Sequence, residues 1–199
     1  MIADGLHRSE PFPHLDLILQ NLYPRRSMTV VLDQEGIRRT LERMGEEIAA
    51  SIPPGCRVGV IGIRRRGDEL ARRLLSILSE RGLHDVEYGS LDITLYRDDL
   101  AEIGPAAVVR TTQIDFDVSG LYIILVDDVI YTGRSIRAAL DAIIDLGRPK
   151  AIRLAVLVDR GGRELPIQPD FVGLQASDQD EHVSVSLSES NGVDRVDAT

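Results

Sequence analysis

Lysine is almost missing from this chain: Lys150 is the only one among 23 basic residues, and arginine supplies the rest. Arginine carries the planar fork that meets phosphate oxygens two at a time, so a local anion site stays open. A diffuse basic surface does not, because 32 acids bring the net charge to −9 and the pI to about 4.9. That balance argues against a general nucleic-acid binder. Cys56 is the only cysteine; it excludes an internal disulfide and is expected as a packed free thiol. Histidine is sparse and scattered (His7, His14, His84, His182), which leaves no zinc cluster. No apolar run approaches the roughly 20 residues of a membrane span, and the N-terminus lacks a signal-peptide pattern. A cytoplasmic protein is the expectation. A Walker glycine pattern is absent too, and Gly59-Val-Ile-Gly62 lacks the dinucleotide-binding spacing.

What is present reads as one main α/β domain. Residues 1–28 carry Pro11, Pro13 and Pro24 around a short apolar patch at Leu15 to Leu22, a pattern that fits a flexible arm and a short packing helix equally. Thr29 to Leu32 reads as a strand, Asp33 as a helix N-cap, and Ile37, Leu41, Met44 and Ile48 as one helical face ended by Pro53, Pro54 and Gly55. Arg57 to Ile63 is a second, buried strand, followed by a helix with Leu70, Leu74, Ile77 and Leu78 inward and Gly82 past its end. Strand, loop, helix and strand recur over residues 121–146 and 151–158. This alternation predicts a mainly parallel twisted sheet with helices on both faces. A third strand near Glu87 runs into a long polar connection lasting to about Gly120, within which Val108, Val109, Ile114 and Phe116 suggest a hairpin. Phe171 to Gly173 and His182 to Leu187 read as late strands. The organisation expected is an extension over 1–28, a domain over 29–188, and an acidic tail over 189–199, with the last dozen residues of the chain fraying.

Two strand ends carry the chemistry. Leu121 to Val126 is apolar throughout, and Asp127 and Asp128 follow where the strand is expected to leave the sheet. Then Tyr131-Thr-Gly-Arg-Ser135 opens an amphipathic helix with Ile136, Ala139, Leu140 and Ile143 on one side. The free N–H groups of a helix start suit a phosphate; Gly133 allows close backbone approach, and Thr132 and Ser135 add hydroxyls. The acids suit a neutral diol or a divalent cation. Arg64-Arg-Arg66-Gly67 ends the other buried strand and suits a highly charged anion. Both loops leave one parallel sheet at its carboxyl end, so both should face one cleft.

The string from Leu121 to Ser135 resembles the phosphoribosyl-pyrophosphate motif of type I phosphoribosyltransferases. Together with Leu91-Asp-Ile-Thr-Leu-Tyr-Arg-Asp-Asp99 and Leu154 to Ile167, the chain from about Thr29 to Leu187 resembles the pyrimidine-operon regulator family. Its members are uracil phosphoribosyltransferases and RNA-binding transcription attenuators. The resemblance implies a type I fold with a mobile lid loop that holds Arg97 and Asp98. It implies that Tyr131 to Ser135, with Ile130 before them, hold the 5′-phosphate, and that Asp127 and Asp128 hold the ribose diol and, through it or water, Mg²⁺. Arg64, Arg65 and Arg66 then take the pyrophosphate, Arg97 is catalytic with the two acids, and Asp159 with Arg160 lies beside the base. Without the resemblance, Asp159 to Gly162 reads as a plain turn. The implied reaction joins uracil to 5-phosphoribosyl 1-pyrophosphate, giving UMP and pyrophosphate, in a homodimer or higher oligomer. A UMP-responsive RNA regulator and a purine transferase are the alternatives. One departure is in the arginine loop, where Arg65 stands at a place relatives commonly fill with threonine. The others fall on the RNA side, with Glu42 and Glu46 on the first helix, Gly162 at a usual histidine, and Gln168 and Leu174 at usually basic places, leaving Arg43 and Arg163. RNA binding is therefore expected to be weak.

Overall fold

A computed structural model describes residues 29–98, 112–176 and 182–199. The unbroken apolar runs form the middle of one sheet, because a strand covered on both faces needs no polar alternation. In chain order the elements are β1 (Thr29–Leu32), α1 (Gln34–Ser51), β2 (Val58–Ile63), α2 (Arg66–Glu80), β3 (Val86–Leu91) and a 3-10 turn (Thr94–Tyr96). There follow β4 (Tyr122–Ile130), α3 (Arg134–Leu146), β5 (Ala151–Asp159), β6 (Phe171–Gln175), β7 (Val183–Ser186), a helical turn α4 (Ser188–Asn191) and β8 (Arg195–Ala198). Five strands pair in parallel in the order β3-β2-β4-β5-β6.

Helices cover both faces. Against one face, Ile37, Leu41, Met44 and Ile48 of α1 and Leu70, Leu74 and Leu78 of α2 bury against Val60, Ile124 and Leu157. Against the other, Ile136, Ala139, Ala142 and Ile143 of α3 bury against Ile61, Ile123, Leu125 and Val156. Local signals set the helix ends: the Asp33 carboxylate accepts from Gly36 N at 2.7 Å, and Gly82 follows α2 at φ +87°, where a side chain is strained. Among the described residues no helix is long and apolar enough to cross a membrane.

Three expectations change. First, β4 does not end at Val126. It continues to Ile130, with Asp127 in register with Val156 and Ile130 with Asp159, because the β5 backbone goes on offering ladder partners past the apolar run. Second, the region expected as a hairpin is described only from Thr112 onward. Gln113 makes a single antiparallel bridge to Ser90, and Ile114 and Phe116 lie beside Gly89. Third, the last dozen residues do not fray. α4 and β8 follow β7, and β8 pairs antiparallel with both β1 and β7 as the centre of a second, three-stranded sheet. Val196 and Ala198 are buried there, which a composition reading of an acidic tail does not detect. Residues 1–28, Val108, Val109 and the central part of the expected lid, residues 99–111, lie outside the described residues.

Candidate active site

The carboxyl ends of β2, β3 and β4 open onto one cavity of about 460 Å³. From β2 and the start of α2 it receives Arg64, Arg65 and Arg66. From β4 it receives Asp127 and Asp128, from the start of α3 Ser135, and from the segment after β3 Asp92, Thr94 and Arg97. The two strand-end loops picked out in sequence thus share one crevice, as a parallel sheet dictates for consecutive strand ends.

Each wall is held by the fold. Arg64 donates from Nε to the buried Ser90 hydroxyl at 2.6 Å and from Nη2 to Gln113 Oε1 at 3.0 Å, so β3 carries the arginine loop. The Arg64–Arg65 peptide is cis. Gly67 brings α2 against β4: a Cβ there would sit 2.5 Å from the Val126 carbonyl and 2.9 Å from Asp127 Cα. That close approach needs a glycine. Arg66 Nη1 lies 3.5 Å from Asp128 Oδ2, linking the two loops. Asp127 is 7% exposed, and its Oδ1 accepts from Asp128 N at 2.9 Å. Burial first, and then the charge of Asp128, push the Asp127 carboxyl well above the usual carboxylate range.

The loop Tyr131 to Ser135 runs into the start of α3. Gly133 sits at φ +90°, a left-handed turn that strains any other residue, and as N-cap it brings no side chain; the Thr132 hydroxyl accepts from Arg134 N at 3.4 Å. The other N–H groups of this first turn suit an anion. The turn after β5 buttresses this loop. Glu164 N and Leu165 N donate to Thr132 O at 3.0 and 3.2 Å, and Arg163 Nη1 donates to Tyr131 O at 3.0 Å.

Not every predicted site residue reaches the cavity wall. Ile130 is buried in the core. Tyr131, Thr132, Gly133 and Arg134 form the loop beside the cavity, and only Ser135 of that motif lines it. Asp159 is 3% exposed, bonded to Gly161 N at 2.8 Å and to Arg163 Nη2 at 2.8 Å. Arg160 stacks its guanidinium 4.1 Å over the Tyr131 ring, so the Asp159-Arg160 turn is joined to the Tyr131–Ser135 loop rather than to the arginine loop. Asp98 pairs with Arg134.

Four polar lining residues escape a reading of the sequence. Asp92 and Thr94 follow the third parallel strand, and the strand-end rule that finds the other two loops points to them equally. Ser190 and Asn191 come from α4, in the region expected as a tail. Arg73 of α2 holds α4 in place, reaching Glu189 Oε1 at 2.8 Å, Asp194 Oδ1 and Oδ2 at 2.8 Å and Ser188 Oγ at 3.0 Å. No local sequence signal marks that docking.

The polar side chains that line the cavity are oxygen-bearing groups and arginines. Among the described residues no three acids, histidines or cysteines come close enough to hold a metal alone. Two carboxylates in an open cavity fit a hard cation that keeps waters and takes further oxygens from its substrate.

Known proteins resemble this chain in sequence and in fold. Residues 28–190 match the phosphoribosyl transferase domain family. The bifunctional protein PyrR of Pelotomaculum thermopropionicum is 52% identical over 172 residues, covering 86% of this chain and 95% of that one. The protein of the same name from Deinococcus radiodurans is 51% identical, covering 84% and 92%. Among solved structures, the hypoxanthine phosphoribosyltransferase of Trypanosoma cruzi superposes with a TM-score of 0.65 over 87% of this chain and 98% of that one. At 16% identity that likeness speaks for the fold alone.

Proposed function

The chain belongs to the phosphoribosyltransferase family and, within it, to the bifunctional pyrimidine regulators; from that premise we propose that it makes UMP and pyrophosphate from uracil and 5-phosphoribosyl 1-pyrophosphate. The observation that carries the reading is the shared cavity, in which arginines stand on one side and an acid pair with a phosphate loop beside it on the other. A phosphorylated sugar bearing a pyrophosphate presents the matching groups in the matching order.

In this reading the N–H groups from Thr132 to Ser135, with the Thr132 and Ser135 hydroxyls, hold the 5′-phosphate. Asp127 and Asp128 accept from the ribose hydroxyls. Arg64, Arg65, Arg66 and Arg97 receive the pyrophosphate as its bond to the anomeric carbon breaks and the uracil nitrogen attacks. Positive charge builds on the ribose ring, near the acid pair. Catalysis rests on positioning and electrostatics, with no covalent intermediate on the protein. Asp127 and Asp128 would hold Mg²⁺, directly or through water, and the ion would neutralise charge on the leaving group. The Asp159-Arg160 turn, packed on Tyr131, borders the base. A cytoplasmic location fits these water-soluble substrates.

A second reading, regulation through RNA, is favoured by the relatives' description as bifunctional. The two basic residues left for it are committed elsewhere. Arg43 Nη2 donates to the Val172 and Gly173 carbonyls at 3.1 and 2.7 Å, and Arg163 is spent on Asp159, Tyr131, Gly161 and Ile167. The transferase therefore stands first. Incubating the protein with phosphoribosyl pyrophosphate, Mg²⁺ and single free bases tests it. UMP from uracil, with no product from hypoxanthine or guanine, supports the reading; product from the purines alone overturns it.

A further inference from the structure

The motif around Arg134 implies a substrate ligand, yet the guanidinium is already spent on protein. Nε and Nη2 face Glu164 Oε2 at 2.7 and 2.6 Å, and Nη1 faces Asp98 Oδ2 at 2.5 Å. Its three nitrogens thus join three segments: the start of α3, the turn after β5, and the strap that follows the 3-10 turn. We propose that Arg134 is a positioning residue, not a phosphate ligand, and that with Asp98 it sets Arg97 over the cavity. The inference rests on the transferase reading and names a device within the same site.

The strap itself supplies the argument. Two further bonds dock it on α3: the Tyr96 hydroxyl donates to Asp145 Oδ2 at 2.9 Å, and Arg137 Nη2 donates to the Tyr96 carbonyl at 3.3 Å. Arg97 has extended dihedrals, φ −73° and ψ 137°. In extended chain, successive side chains point to opposite sides. With Tyr96 and Asp98 both fastened to α3, Arg97 between them is turned the other way, and it lines the cavity. Releasing Asp98 frees the strap to rotate and takes Arg97 out of register with the pyrophosphate. The hydrogen bond from Arg134 also holds the Asp98 carboxyl below the usual carboxylate range.

Because the three side chains are about half exposed, at 51% for Arg134, 41% for Asp98 and 50% for Glu164, each pair contributes little to folding. Their effect should appear in turnover. Asp98→Asn and Arg134→Gln should each lower kcat about fivefold, the size of an exposed pair felt only in the transition state. The KM for uracil should not move, and Arg134→Lys should recover part of the loss. The double variant should be no worse than either single one. Ribose 5-phosphate affinity, measured by calorimetry without turnover, should match the wild type in all four. Weaker ribose 5-phosphate binding in Arg134→Gln, with Asp98→Asn unaffected, would make Arg134 a phosphate ligand and overturn the inference. Additive losses or an unchanged kcat overturn it as well. Wild-type turnover with unchanged variants sinks only this inference, whereas a wild type that forms no nucleotide sinks the transferase reading with it.

Discussion

Arg66 Nη1 and Asp128 Oδ2 stand 3.5 Å apart across the cavity, although they belong to different strand-loop-helix units. The contact ties the proposed pyrophosphate side of the site to its ribose side before any ligand arrives. A preset arrangement of charges costs no reorganisation when the reaction occurs.

Asp127 should show a trade between stability and turnover. Asp127→Asn removes a charged partner of the ribose, an interaction of about 1.5–3 kcal/mol, or roughly tenfold to a hundredfold in rate. The fold should gain. Because the folded-state pKa is raised above the unfolded value, the wild type keeps its full stability below the unfolded pKa, near 3.9 for aspartate. It loses stability as pH rises through the folded pKa. Thermal melts without metal should therefore show the variant above the wild type at pH 7, with the gap closing toward pH 4. A variant that melts lower at pH 7 and turns over normally would contradict both halves.

The C-terminal wall should come loose in acid. Arg73 holds Glu189 and Asp194 below their usual carboxylate range, chiefly through its hydrogen bonds. A lowered folded-state pKa gives stability that is present above the unfolded values, about 4.3 and 3.9, and is lost as pH falls through the folded ones. Amide exchange of residues 188–198, corrected for intrinsic rates, should accelerate below about pH 4 ahead of β2 and β4. In Arg73→Met the same segment should already exchange fast at pH 7. Uniform exchange across both sheets in either protein would disprove the clamp.

Much of this arrangement is legible in the residues. The apolar runs at Val58 to Ile63 and Leu121 to Val126 mark central strands, and Asp33 and Gly82 mark helix ends. The strand-end rule then brings Arg64 to Arg66 and Asp127 to one crevice. What is not legible depends on partners distant in sequence. Asp127 stays in the ladder because Val156 pairs with it. Arg134 meets Glu164 only because the turn after β5 folds over the Tyr131–Ser135 loop. Ser190 enters the cavity through a clamp on Arg73, more than a hundred residues away. Periodicity reports which face a residue takes, but not which guanidinium will find it.

RNA should bind weakly. Glu42 and Glu46 stand on the first helix with side chains 43% and 62% exposed, and Arg43 and Arg163 are occupied within the chain. Each phosphate that no basic side chain neutralises takes about one unit from the salt slope. A titration of pyrimidine-leader RNA at two salt concentrations, with and without UMP, should give a shallow slope and little preference over a scrambled control. Tight, selective, UMP-enhanced binding would locate a regulatory surface elsewhere on the protein.

The central claim is that one cavity holds both ends of phosphoribosyl pyrophosphate, and competition binding measures it most directly. Pyrophosphate and ribose 5-phosphate should each be displaced by phosphoribosyl pyrophosphate in the presence of Mg²⁺, yet should bind together without displacing one another. Mutual exclusion of the two fragments, or failure of phosphoribosyl pyrophosphate to displace either, would contradict the account.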